Sequence, residues 1–417
     1  MARLLSFLML IALPALSWAQ AAPPMTWGSA VNVSNTPGRP SYWPRVAATG
    51  NTVHVTWYDD DSETRPGSAY YKRSLDGGVT WQDQHIFSDV NYSDVKVLTS
   101  SNNVVVCWED QVSGQYIVRC ARSTDAGATW SATQDISPAL SSHPQCVDGA
   151  VGGGRMVIHW GEIFGSTVSL KMRISTDDGQ TWGSTLNVTS FNYDPNQGAF
   201  AQMAIAGSAI MVGYLGESPF AVRTVRSTDW GQTWSSPVVV YSDPPRMLHQ
   251  LRIATSGSSV VMRWERFFGA YNDEAMAAAS ADGGLTWSTP ASLSAGLGGS
   301  NGYGDVCIWG NRAVAVWTNN PAPGLTDFPL YYRCSLDGGQ TWEPATVILT
   351  GLYRFAVPKC TATPNSVYIA GYADPGSREI YPVRGDDPNR PPVANAGSDQ
   401  TVECTGAQTG VVLVAGV

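Results

Sequence analysis

Apolar and polar positions along this chain alternate in short runs, and the runs come in pairs. Arg45-Val-Ala-Ala-Thr-Gly is followed by Asn51-Thr-Val-His-Val-Thr-Trp57, the second run ending on an aromatic residue. The pairing recurs with terminal aromatics at Trp108, Trp160, Tyr214, Trp264, Trp317 and Tyr372, which makes seven pairs. Short β-branched and aromatic runs bounded by Gly, Asn and Asp predict strands. Behind six of the pairs stands one phrase, Ser-x-Asp-x-Gly-x-Thr-Trp, starting at Ser74, Ser123, Ser175, Ser227, Ser280 and Ser335. Successive starts differ by 49, 52, 52, 53 and 55 residues. A period near 50 means repeated units that cannot bury their apolar faces alone.

The phrase reads as a turn. Its Asp can accept backbone N–H bonds of its own loop, its Gly can take φ > 0, and Thr-Trp re-enters a strand. It resembles the Asp box of sialidases and other BNR-repeat proteins, where the box joins the third and fourth strands of a β-propeller blade. The resemblance implies a structural role, away from the catalytic face, for Asp76, Asp125, Asp177, Asp229, Asp282 and Asp337.

The seventh pair continues into Arg378-Glu-Ile-Tyr-Pro-Val-Arg-Gly-Asp-Asp387 but never reaches Thr-Trp. The missing piece stands at the other end of the chain. Met25-Thr-Trp-Gly-Ser-Ala-Val-Asn-Val-Ser34 reads like the strand after each box, as in Gln180-Thr-Trp-Gly-Ser-Thr-Leu-Asn-Val-Thr189. The expectation is an all-β protein: a seven-bladed β-propeller of four-stranded antiparallel blades over 22–388, closed by the N-terminal strand. Closure leaves no long exposed sheet edge. The sialidases that it resembles have six blades, so seven is a departure.

Residues 1–21 read as a signal peptide, with Arg3, an apolar stretch from Leu4 to Leu16, and Ala19-Gln-Ala21 as a small-residue cleavage site. The apolar stretch is too short for a membrane anchor, and a secreted, extracellular or cell-surface protein is expected. A net charge of -9 without a Lys/Arg cluster argues against nucleic acid. Seven of the 16 Trp belong to Thr-Trp repeats and read as packing residues.

Cys120 and Cys146 are 26 apart, as are Cys334 and Cys360, in the same relation between neighbouring blades. That coincidence points to two inter-blade disulfides, with Cys107–Cys120 across a turn as the rival. No CxxC or HExxH occurs, so structural zinc is not expected, and no cofactor is implied. Asn389-Arg-Pro-Pro392 reads as a linker, and 393–417 resembles the opening of a PKD-type Ig-like module, too short to bury a core. The chain is expected to stop inside a longer protein.

Propeller ligands bind at the axial funnel, and the loop after each second-strand aromatic is such a position. It holds Asp59, Glu109, Glu162, Glu217, Glu265, Asn319 and Asp374, six of them acidic. The plain reading is solvated turn residues. The functional one is an acidic ring that accepts bonds from sugar hydroxyls beside aromatics able to stack on pyranose faces, among them Tyr42, Trp43, Tyr58, Phe267, Phe268 and Tyr353.

The sialidase resemblance can be followed residue by residue. That family's first-blade Phe/Tyr-Arg-Ile-Pro phrase supplies an Arg for the sialic-acid carboxylate, and Pro44-Arg45-Val46-Ala47 stands at the corresponding strand. Arg252, Arg266 and Arg354 are further cations for the same face. The acid/base region is occupied by Asp59 and Asp60, with Asp61 and Glu63 behind them, and Glu265 is the third candidate catalytic acid. The match then breaks. Asn319-Asn-Pro-Ala-Pro-Gly-Leu-Thr-Asp-Phe328 lacks the third Arg, and the family's nucleophilic Tyr falls near Val357, with Tyr353 four residues away and Tyr303 a blade earlier. Without triad and nucleophile, the covalent mechanism has no support in sequence.

Three functions fit: a glycan-recognising propeller without orthodox sialidase catalysis, a glycoside hydrolase using funnel carboxylates, or an extracellular scaffold binding a cell-surface protein. A monomer is expected in each case. Fold cannot choose among them, since function lives in the site.

Overall fold

The computed structural model describes residues 24–388, apart from 37, 60–66, 91–94, 194–199, 217–219, 245, 270–271, 323, 326, 351–355 and 374–377. The signal-peptide, linker and Ig-like readings therefore lie outside the described residues. So do the site candidates Asp60, Glu217, Tyr353, Arg354 and Asp374.

Twenty-eight strands form seven four-stranded antiparallel sheets, and among the described residues there is no helix. Blade 1 shows the plan, from the axis outward: Ser41–Thr49, Thr52–Asp59, Gly67–Ser74 and His85–Val90. The first strand of each blade packs against the first strand of the next, and that of blade 7 against that of blade 1, so the ring is closed. Its closure is the expected one. Thr26–Trp27 pairs with Glu379–Asp386 as the fourth strand of blade 7, Thr26 opposite Asp386. The bonding continues through Val31 N–H and Val33 N–H to the carbonyls of Pro382 and Ile380, at 3.2 and 2.9 Å.

The second-strand aromatics that mark the repeat are the wedges between blades. Trp57, Trp108, Trp160, Trp264 and Trp317 are each no more than 1 % exposed. Period-two alternation puts one face of every sheet against each neighbouring blade, which is why these second strands are buried almost throughout.

Each Asp box spends its carboxylate on its own loop. Asp76 accepts bonds from the Ser74 hydroxyl at 2.7 Å, the Val79 and Thr80 amides at 3.1 and 2.9 Å, and the Thr80 hydroxyl at 2.6 Å. Thr80 hydroxyl first, these bonds hold the carboxyl at about 2. The Ser and Thr bonds recur at Asp125, Asp177, Asp229, Asp282 and Asp337. The boxes also tie blades together. Arg73 donates to the carbonyls of Asp125 and Ala126, both at 2.9 Å, and Arg122 to that of Asp178 at 2.7 Å. Asp177→Ala is expected to cost about 1–2 kcal/mol, read as a lower urea midpoint with unchanged slope. A loss no larger than that of an exposed Ser→Ala control would show that the loop holds without its carboxylate.

The expected pairings Cys120–Cys146 and Cys334–Cys360 do not form. Cys120 stands directly opposite Cys107 on the adjacent strand, and Cys360 lies against Cys307 of the neighbouring first strand. Equal sequence spacing placed these residues in equivalent blades but said nothing of which way each side chain points.

Candidate functional site

The boxes and the turns between first and second strands share one end of the ring, as the Gly77 N–H bond to the Asn51 carbonyl (2.8 Å) shows. The ends of the second strands lie on the opposite, funnel face. There, five first strands carry a bulge, between Tyr42 and Arg45, Gln145 and Asp148, His249 and Arg252, Gly302 and Gly304, and Ala356 and Lys359. Within each bulge one residue adopts left-handed φ: Trp43 (47°), Cys146 (54°), Gln250 (50°), Tyr303 (46°) and Val357 (51°). Such backbone is costly for side chains with a Cβ, and bulges commonly re-aim side chains at functional sites.

Two residues beyond the left-handed residue in those five blades, and at the matching position in the other two, each blade sends a polar side chain to the axis. These are Arg45, Lys96, Asp148, Gln202, Arg252, Asp305 and Lys359, all lining one axial cavity of about 360 Å³. Only Arg45 and Arg252 were legible in the sequence. Asp148 accepts from the Gly149 amide (2.8 Å) and Gln202 Nε2 (3.0 Å), with Lys96 Nζ at 3.9 Å. Burial opposes its ionisation, but Lys96, Arg45 and His159 outweigh burial and hold the carboxyl well below the usual range. Asp305 accepts from the Val306 and Cys360 amides at 2.9 and 3.1 Å, with Arg252 Nε at 3.9 Å.

The second-strand acids do not form one ring of equivalent groups. Glu162 accepts from its own Trp160 indole (3.1 Å) and pairs with Lys171 Nζ (2.7 Å). Glu109 pairs with His143 Nε2 at 2.8 Å and Glu265 with Arg263 at 2.9 Å. The reason is strand alternation: Glu162 stands two residues beyond its aromatic, Glu109 and Glu265 one, so they leave opposite faces of their strands. Asp59 is buried beside Ser41 and Glu379, and burial pushes its carboxyl up to about 6, with the Ser41, Thr36 and Trp57 side chains pulling down and Glu379 adding to the rise. Residues next to it in blades 1 and 7 carry aromatic rings in mutual contact. The Trp43 and Tyr58 rings stack at 6.3 Å, Tyr42 meets Tyr372 at 6.3 Å, and Arg378 lies 4.6 Å over the Tyr42 ring.

Between blades 5 and 6 the funnel face gathers a second group, which sequence reading saw only in part. Tyr303 projects from its bulge with 54 % exposure, and the phenol is pushed up by burial and by the charges of Glu265 and Asp273. Asp273 is pushed up by burial and by Glu265, while the Ser300 hydroxyl, donating at 2.5 Å, and His249 pull it down. The glycines that flank Tyr303 explain how the group packs. A Cβ at Gly302 would sit 3.3 Å from Glu265 Oε2, and one at Gly304 2.6 Å from Arg263 Cζ. Gly302-Tyr303-Gly304 was the signal available in the sequence: two residues without side chains leave room for an ion pair under the tyrosine.

Among the described residues, three of the candidate arginines do not converge. Arg45 and Arg252 reach the axial cavity, whereas Arg266 is held by Tyr241 (2.9 Å), Asp243 (3.4 Å) and Glu274 (2.5 Å) and stacks 4.5 Å over Phe268. Val357 and Tyr303 occupy the same bulge position in successive blades. The hydroxyl missing from blade 7 therefore stands one blade earlier.

No protein-family model matches the sequence, and no curated protein does. Solved structures do match. A protein of unknown function from Dyadobacter fermentans is 15% identical, with 88% of this chain and 100% of that one covered at a TM-score of 0.56. A polysaccharide lyase of family PL25, an ulvan lyase bound to -[GlcA(1-4)Rha3S]-, is 11% identical, with 82% and 93% covered at 0.59. The Hadza microbial sialidase Hz136 is 16% identical, with 67% and 63% covered at 0.48. At these identities the likeness is one of fold.

Proposed function

We propose that this protein is an exported glycan-binding propeller whose sugar site is the funnel face opposite the Asp boxes. The observation that carries the reading is Tyr303, an exposed ring held in left-handed backbone and near enough to Glu265 and Asp273 for their charges to raise its phenol. An aromatic face beside fixed acceptors is what a pyranose ring needs, one for its apolar face and the other for its hydroxyls. The ulvan lyase, built on the same fold, is described as bound to a glucuronate-containing fragment, which supports carbohydrate as the ligand class.

Cleavage is the second reading, and one observation favours it. Asp273 is pushed toward the protonated form by burial and by the charge of Glu265, as a catalytic acid requires. Orthodox sialidase chemistry is not the form proposed, since Arg266 is engaged elsewhere.

The test is a panel of neutral, sialylated and uronate-bearing oligosaccharides, scored for binding and for released sugar. Binding to at least one class is expected, weakened tenfold or more by Tyr303→Ala. Should turnover appear, Asp273→Asn should lower kcat by about 10²–10⁴. Release of free sialic acid that vanishes in Arg45→Ala would restore the sialidase reading. A folded sample that binds no glycan would leave the protein-binding scaffold.

A further inference from the structure

The residue between Asp and Gly adopts left-handed backbone in all six Asp boxes: Gly77 (φ 75°), Ala126 (56°), Asp178 (54°), Trp230 (58°), Gly283 (71°) and Gly338 (74°). Glycine takes that conformation freely, and a bulky side chain does not. Blades 1, 5 and 6 close the loop with glycine, and in blade 3 a short acceptor suffices to link two blades, Asp178 taking a bond from Asn103 Nδ2 at 3.0 Å. Neither loop closure nor linkage therefore calls for the largest of all side chains at this position in blade 4. Strain kept at such a position marks a functional constraint.

Trp230 reaches across to blade 3. Its ring lies against the Gly152-Gly153-Gly154 turn, where a Cβ at Gly153 would stand 2.7 Å from Trp230 Cη2. The Arg155 guanidinium, at the start of the strand Arg155–Phe164, lies 4.2 Å over the indole. Among the described residues no carboxylate pairs with Arg155, so the ring fixes a guanidinium that has no counter-charge there. Beside this pair, between blades 3 and 4 on the Asp-box face, opens a cavity of about 350 Å³. Arg155, Trp230 and Trp182 line it, and Thr176, Ser184 and Gln232 add hydroxyl and amide groups.

We infer that this cavity is a second carbohydrate site, for a sugar ring that carries a carboxylate or a sulfate ester. The guanidinium fork matches the paired oxygens of either group. The indoles flank the apolar side of the ring, and the hydroxyl and amide side chains match its hydroxyls. A purely apolar ligand would leave those polar groups without partners. The site stands on the face opposite Tyr303, so it holds an acidic saccharide without occupying the funnel, whatever the funnel binds.

The test is titration of the full chain with glucuronate, a glucose sulfate ester and glucose at constant ionic strength, followed by calorimetry and by tryptophan fluorescence. At least one acidic sugar is expected to bind and to perturb the fluorescence, with glucose tenfold weaker or more. Glucuronate alone would assign a uronate, the sulfate ester alone a sulfated sugar, and both together the oxyanion they share. Arg155→Gln should weaken the interaction tenfold or more. Trp230→Gly, which gives box 4 the residue found in boxes 1, 5 and 6, should do the same while keeping a cooperative thermal melt. Tyr303→Ala, on the other face, should leave the affinity unchanged. Unchanged affinity in Arg155→Gln would overturn the inference, and loss in Tyr303→Ala instead would place the binding in the funnel. No binding by either acidic sugar, or equal binding of glucose, would overturn it as well.

Discussion

Glu265→Ala is expected to destabilise the protein by about 3–5 kcal/mol, the loss that follows when one member of a buried ion pair is removed. Arg263 is wholly buried, and among the described residues Glu265 is the acid that pairs with it, at 2.9 Å. Its Nε and second amino group have no partner there either, so truncation leaves a guanidinium buried without a counter-charge. The double variant Arg263→Met, Glu265→Gln removes charge and partner together and should recover most of the loss. Urea denaturation of the wild type, both single variants and the double variant closes the cycle. A Glu265→Ala loss below about 1 kcal/mol would mean that water reaches Arg263.

Acidification from pH 6.5 to 4 should destabilise the fold, and Asp59 should moderate the effect. His54 and His159 are fully buried, and burial first, then Arg73 for His54 and Lys96 for His159, lowers each from 6.5 to about 4, with Asp148 opposing at His159. A histidine depressed in the fold contributes stability that is present above 6.5 and is lost as the unfolded chain takes up protons the fold refuses. Each shift of this size corresponds to about 3 kcal/mol. Asp59 has the opposite sign. Its carboxyl is raised to about 6, so the fold takes up its proton first and gains about 3 kcal/mol between pH 6 and 3.8. The net expectation is a loss on the order of 3 kcal/mol from these three groups. Asp59→Asn removes the moderating term: the variant should be more stable at pH 7 and fall more steeply toward pH 4. Parallel melting curves for the two proteins across pH 7 to 4 would show that Asp59 is solvated. Below pH 3.8 the Asp-box carboxyls add a further loss, since Asp76, Asp177 and Asp282 are held at about 2 by their loops.

The repeat, the seven blades and the N-terminal strand that closes them were determined by sequence: the repeat and the blades rest on contacts between neighbours in the chain, and the closing strand on one box phrase split between the two ends. Box loops bond within themselves, second-strand aromatics mark where each blade needs a wedge, and Met25-Thr-Trp could only complete a box begun at Glu379–Asp387. What a side chain meets across the ring has no such local signature. Arg45, Lys96, Asp148, Gln202, Arg252, Asp305 and Lys359 are single polar residues within apolar runs, 50 to 54 positions apart, and only closure of the propeller brings them to one axis. The same holds for Tyr303 over Glu265, joined from adjacent blades by a bulge that shifts the register by a residue and so decides which face the ring leaves. Local bonding set the architecture; the closure of seven blades decided the chemistry of its axis and of its funnel face.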